Sequence, residues 1–134
     1  MERVTGIGGF FFRASDPPAL ARWYATHLGI DPSPATYNEQ TWHQQAGPTV
    51  LHPFPQSTTY FGSPERQWMI NFRVRDLHAM LKQLRTAGIN VQDPESHPNG
   101  LFSRLQDPEG NPIELWQPQD AQNPRDAPAT PAPR

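Results

Sequence analysis

The sequence has no cysteine. Disulfides and thiolate zinc sites are therefore excluded, and histidine, aspartate and glutamate are the only strong metal ligands left. It also lacks an apolar run of membrane-spanning length, and Met1-Glu2-Arg3 leads into strand-like sequence without the apolar core of a signal peptide. A soluble cytoplasmic protein is expected. Eleven basic and 13 acidic residues give a net charge of -2 with no run of either sign, so neither nucleic acid nor a membrane surface is an expected partner. At 134 residues the chain can bury the core of one domain but is short for two.

Proline is plentiful, at 17 residues, and its positions are informative. Pro118, Pro124, Pro128, Pro131 and Pro133 fall at the end of the chain, where the only apolar side chains are alanines. Such a segment buries too little surface to offset its ordering entropy. The folded unit is expected over 1–118, and a disordered proline-rich tail over 119–134.

Residues Val4 to Arg13 read as a strand, opened by Gly6, Gly8 and Gly9. Asp16-Pro17-Pro18 supplies an N-cap with proline at the first helical position, and Leu20, Trp23, Tyr24, His27 and Leu28 follow at helical spacing until Gly29. Two short strands are expected at Gln40 to Gln45 and Thr49 to Phe54, with room for another near Ala35 to Glu39. Much of this pattern then returns. Phe12, Arg13, Asp16, Ala19 and Thr26 recur at a constant offset as Phe72, Arg73, Asp76, Ala79 and Thr86, and Gly29-Ile30 returns as Gly88-Ile89 after a single deletion. The second copy predicts a strand over Trp68 to Val74 and a helix burying Leu77, Met80, Leu81 and Leu84. It closes with a hairpin of Leu101 to Gln106 and Pro112 to Gln117 around the turn Asp107-Pro108-Glu109-Gly110. The fold class is α+β, two tandem βαβββ-like modules over about 1–55 and 60–118, jointly enclosing a cleft lined by mostly antiparallel sheet.

Alternation assigns the faces. Ile70, Phe72 and Val74 should pack under helices, leaving Met69, Asn71 and Arg73 opposite; in the first copy Phe10, Phe12 and Ala14 pack, leaving Gly9, Phe11 and Arg13. In the last strand Ile113 and Leu115 face the helices while Glu114 and Trp116 share the other side. A helix-free face that is both polar and aromatic suits a small-molecule cavity. Its expected lining is Phe11, Arg13, Trp42, Met69, Asn71, Arg73, Phe102 and Trp116, with Glu114 as the candidate catalytic group. A buried carboxylate needs a partner, and Arg13 or Arg73 is the expected one. Tyr60 and Trp68 are further aromatic candidates, for pocket or core.

With the repeat and the closing run Asp107 to Trp116, the chain resembles the vicinal oxygen chelate superfamily of glyoxalases, bleomycin-resistance proteins and extradiol dioxygenases. That resemblance implies small-molecule binding and a homodimer, with the connector Phe54 to Phe61 at the seam. In metal-dependent members, first and last strands of each module bring four ligands, typically His or Gln and Glu, to a divalent ion. The matching positions here are Gly9, Met69, Thr49 or Val50, and Glu114, and only the last is a ligand type. No cofactor is therefore expected. A weak metal site of Glu114 and His52 belongs to the alternative, a metal-dependent lyase, isomerase or dioxygenase. His52 is preferred as a surface residue, and His27, His43, His78 and His97 form no ligand pair.

Overall fold

A computed structural model of the chain describes residues 1–31 and 41–119. The strand considered near Ala35 to Glu39 and the tail beyond Gln119 lie outside the described residues. The chain divides into two compact units, Met1–Trp42 and a second beginning at His43.

The first unit is organised by helix α1 (Pro17–Leu28). Its first turn is closed by Asp16, whose carboxylate accepts from the Ala19 amide at 3.2 Å, and its last by Gly29 at φ 72°, a left-handed conformation that only glycine adopts cheaply. Leu20 and Tyr24 form its buried side. The ring of Phe12 meets Tyr24 edge-on at 6.2 Å and lies 5.5 Å from Phe10, but Phe12 and Phe10 stay 37% and 43% exposed, so of the expected packing set Phe12 touches the helix without being buried by it.

The second unit follows the repeat. Strand β1 (Ile70–Arg73) leads into helix α2 (Leu77–Thr86), and β2 (Glu95–His97), β3 (Gly100–Gln106) and β4 (Pro112–Pro118) complete one sheet in the order β1-β4-β3-β2. The β1–β4 pair is parallel and the other two are antiparallel. Asp76 caps α2 through the Ala79 amide at 3.0 Å, repeating the role of Asp16. Leu77, Leu81 and Leu84 of α2 are buried with Leu105, Ile113 and Leu115, and Gln117 on the same side of β4 accepts from the Leu77 amide at 2.8 Å. Met80, expected in this core, is half-buried. The closing turn forms as read: the Gly110 amide donates to the Asp107 carbonyl at 2.9 Å, and the Asp107 side chain accepts from the amides of Glu109 and Asn111.

The first half departs from expectation. Val4 to Arg13, the described part of Gln40 to Gln45, and Thr49 to Phe54 are not strands, although their composition is strand-like. A strand exists only as one side of a ladder, and alternation without a paired neighbour leaves extended chain. The exposure of Val4 at 92% and Leu51 at 89% agrees with that. Among the described residues the helical half of the repeat is present in both copies and the sheet half only in the second. Strand β2 was missed because Glu95-Ser96-His97 is exposed throughout and carries no apolar alternation.

Candidate ligand-binding site

Register decides which side chains share the helix-free face. Asn71 and Arg73 of β1 stand opposite Glu114 and Trp116 of β4, while Arg104 and Phe102 of β3 stand opposite the same two residues from the other side. Glu114 therefore lies on a central strand with neighbours left and right. It is 3% exposed, against 3% for Phe102 and 4% for Trp116.

The carboxylate is engaged at both oxygens. Asn71 Nδ2 donates to Oε1 at 2.8 Å, and the Tyr60 hydroxyl donates to Oε2. These are neutral donors, where an arginine was expected. Arg73 instead donates through Nη2 to the Gln45 carbonyl at 2.9 Å, its guanidinium filling the space in front of Gly47, where a Cβ would lie 1.7 Å from Nη1. Arg13 belongs to the first unit. The reason is reach: Arg73 starts one register step beyond Asn71, opposite Trp116, and its long side chain finds a carbonyl on the neighbouring extended segment.

Tyr60 comes from the connector between the two copies. Phe54 to Gly62 forms a strap of two turns, closed by Thr58 N to the Pro55 carbonyl at 2.9 Å and Gly62 N to the Thr59 carbonyl at 3.1 Å. Gly62 takes φ 88° to leave it. The tyrosine ring stacks with Phe54 at 5.6 Å, the Arg104 guanidinium lies 4.6 Å from its centroid, and its hydroxyl ends on Glu114. Arg104 is itself steadied by Gln92 Oε1, which accepts from Nε at 3.1 Å. Farther along the face, Phe102 and Trp116 stack at 6.0 Å with planes 3° apart, and the Trp116 indole donates to the Asn99 carbonyl at 2.8 Å.

Of the residues singled out from sequence, Glu114, Asn71, Phe102 and Trp116 are brought together. Met69 is half-buried just before β1, Arg73 faces the same side but points to Gln45, and Phe11, Arg13 and Trp42 lie in the first unit, Phe11 being 94% exposed. His52 is exposed, with its ring against Phe54 at 5.2 Å. Arg104 is not among the residues expected from sequence, and Tyr60 is expected there only as a pocket or core aromatic. The signal for Arg104 was available, since it alternates with Phe102 along a strand already assigned.

No cluster of three or more His, Asp or Glu side chains that could hold a metal occurs among the described residues. Tyrosine, asparagine and one glutamate make a poor donor set for tight divalent-ion binding, which usually takes at least about three strong ligands. Two surface grooves lie away from the carboxylate. One of about 420 Å³ is lined by Phe61, Ser63, Glu65, Arg66, Gln106 and Gly110, and one of about 360 Å³ runs along the β2 end of the sheet. No helix among the described residues is long and apolar enough to cross a membrane.

The family model described as a glyoxalase-like domain matches residues 9–116. Among solved structures, the antibiotic-binding protein TnmS3 from Streptomyces sp. CB03234 is similar at a TM-score of 0.62 and 22% identity, over 89% of this chain and 100% of that one. Lactoylglutathione lyase from Agrobacterium tumefaciens is similar at 0.53 and 16% identity, over 87% and 96% of the two chains. Comparison with curated proteins finds no match.

Proposed function

The chain belongs to the glyoxalase-like domain family, and with it to the vicinal oxygen chelate superfamily, and from that premise we propose that it binds a small organic molecule on the Glu114 face without a complete metal site. The observation that carries this reading is the state of Glu114. It is the one ligand-type residue among the four family positions, and its two oxygens are engaged by an amide and a phenol beside the stacked pair Phe102 and Trp116. A polar acceptor set among aromatic rings recognises an organic ligand by shape and hydrogen bonding. TnmS3, which has the same fold, is described as antibiotic-binding, and that supports the class of function without naming the ligand. In this reading Met69, Asn71, Arg73, Phe102 and Trp116 form the ligand wall, and Glu114 orients the ligand.

The proposal extends to a cytoplasmic homodimer. Apolar side chains exposed in each unit, Val4 and Phe11 in the first and Leu51 in the second, are what pairing would cover, and the first-half strands are expected to complete their ladders in that paired form. Elemental analysis of purified protein tests the site. The expected result is no stoichiometric zinc, nickel, manganese or iron. About one metal per chain, lost on Glu114→Ala or His52→Ala, would overturn the reading in favour of a metal-dependent lyase, isomerase or dioxygenase.

A further inference from the structure

We infer that Tyr60 is a built-in occupant of the ligand site, so that the ligand is a phenol or a comparable aromatic bearing a hydrogen-bond donor, which takes the tyrosine's place. This rests on the small-molecule-binding reading above and narrows it to a ligand class.

The first ground is that the site is closed as it stands. Glu114, Phe102 and Trp116 are each under 5% exposed, so a ligand reaching the carboxylate must displace a side chain. The second is the way Tyr60 is held. Stacking with Phe54 at 5.6 Å, a guanidinium 4.6 Å from the ring centroid and a carboxylate accepting from the hydroxyl are together the contacts that recognise a hydroxylated aromatic ring.

The third ground is an asymmetry between the seat and its occupant. The seat is fixed: Glu114 lies on β4, paired on both sides, with its other oxygen held by Asn71, and Arg104 lies on β3 and is tied to Gln92. The occupant is carried by turns outside the sheet ladder, in a strap whose Gln56, Ser57 and Thr59 are exposed. Segments with few buried contacts and no ladder open at the least cost. Tyr60, with Phe54 on the same strap, can therefore swing out while Glu114 and Arg104 stay in position.

Chemistry then selects the ligand. An apolar ring would forfeit the hydrogen bond that Tyr60 gives to the Glu114 carboxylate, and an anionic ring would meet a like charge. A phenol replaces the hydrogen bond and the cation–π contact that Glu114 and Arg104 make with Tyr60. Because Tyr60 competes intramolecularly, a free phenol binds weakly to the wild type. Removing only the hydroxyl weakens the competitor and leaves the seat.

The experiment titrates the full chain and Tyr60→Phe with 4-methylphenol, which is the tyrosine side chain itself, and with toluene, the same ring without a donor. Binding is followed by the NMR shift of the Trp116 indole N–H. The expected result is 4-methylphenol binding about tenfold or more tighter to Tyr60→Phe, the equilibrium equivalent of a hydrogen bond to a charged group, with no such gain for toluene. In the wild type, saturating 4-methylphenol should move the Tyr60 ring resonances toward those of an exposed tyrosine, a readout that does not depend on the variant folding. Equal affinities in the two proteins, an equal gain for toluene, or unmoved Tyr60 resonances at saturation would overturn the inference while leaving aromatic binding at this face intact. Failure of both probes to shift Trp116 in either protein would remove the inference together with the reading beneath it.

Discussion

Glu114 joins a strap and an edge strand to the middle of the sheet through a single side chain. Its removal takes the acceptor from the half-buried Tyr60 phenol and from the amide of exposed Asn71, and hydrogen bonds to a carboxylate are worth more than neutral ones. Glu114→Ala is accordingly expected to lower unfolding stability by about 2 kcal/mol. Glu114→Gln, which keeps an acceptor for one partner and offers a donor to the other, should cost less. Urea denaturation of the two variants checks the order, and equal losses would show that the carboxylate's hydrogen bonds are not what matters there. Tyr60 and Asn71 stand 54 and 43 positions from Glu114 in the chain. Alternation along β4 told which way the carboxylate points, but nothing local names the residues it meets. Arg73 was a reasonable expectation by charge, and it failed by position.

Helices and turns were the readable elements because each is specified by residues a few positions apart. Asp16 and Asp76 both cap, as the repeated Asp-x-x-Ala pattern implied. Asp76→Ala should cost about 1 kcal/mol, measured by thermal or urea unfolding, and Asp76→Asn far less. Glycines sort by what surrounds them. At Gly29, φ is 72° and an added Cβ meets nothing within 4 Å, so Gly29→Ala carries only the left-handed backbone cost, about 1 kcal/mol. At Gly100, φ is 134° and the Cβ would stand 2.1 Å from the Gln117 carbonyl oxygen. That backbone atom is part of the β3–β4 ladder and cannot turn aside, so Gly100→Ala should destabilise clearly more than Gly29→Ala. A comparison of the two melting temperatures decides it. Strand-like composition is a weaker guide, because Val4 to Arg13 and Thr49 to Phe54 have the residues of strands and yet join no ladder among the described residues.

At the scale of the molecule, the sheet order β1-β4-β3-β2 leaves β1 and β2 as edges. β2 is three residues long, with Glu95 and His97 paired at 3.3 Å on its exposed side, a short polar edge that discourages further pairing. β1 is four residues long and is the other edge among the described residues, and apolar side chains of the first half are exposed. Those exposed side chains motivate the homodimer proposed above. Sedimentation at micromolar concentration should give twice the chain mass of 15.2 kDa, and Phe11→Asp with Leu51→Asp should shift the equilibrium toward monomer without unfolding the protein. A monomer mass for the unaltered chain would count against the pairing.

The sequence by itself determined the internal repeat, both helix caps, the closing turn at Gly110, the core stripe Leu77, Leu81 and Leu84, and the side of the sheet on which Glu114 stands. Each of these depends on near neighbours or on a simple period, so the information is local. Only the tertiary structure decided that β1 lies parallel beside β4, which puts Asn71 opposite Glu114. It also decided that Arg73 turns to Gln45 and that the connector folds back to set Tyr60 between Arg104 and the carboxylate. Those outcomes depend on register and on where a loop between two copies comes to rest. Both are settled by the packing of the whole sheet, where a shift of one residue would have turned Glu114 into the helical core.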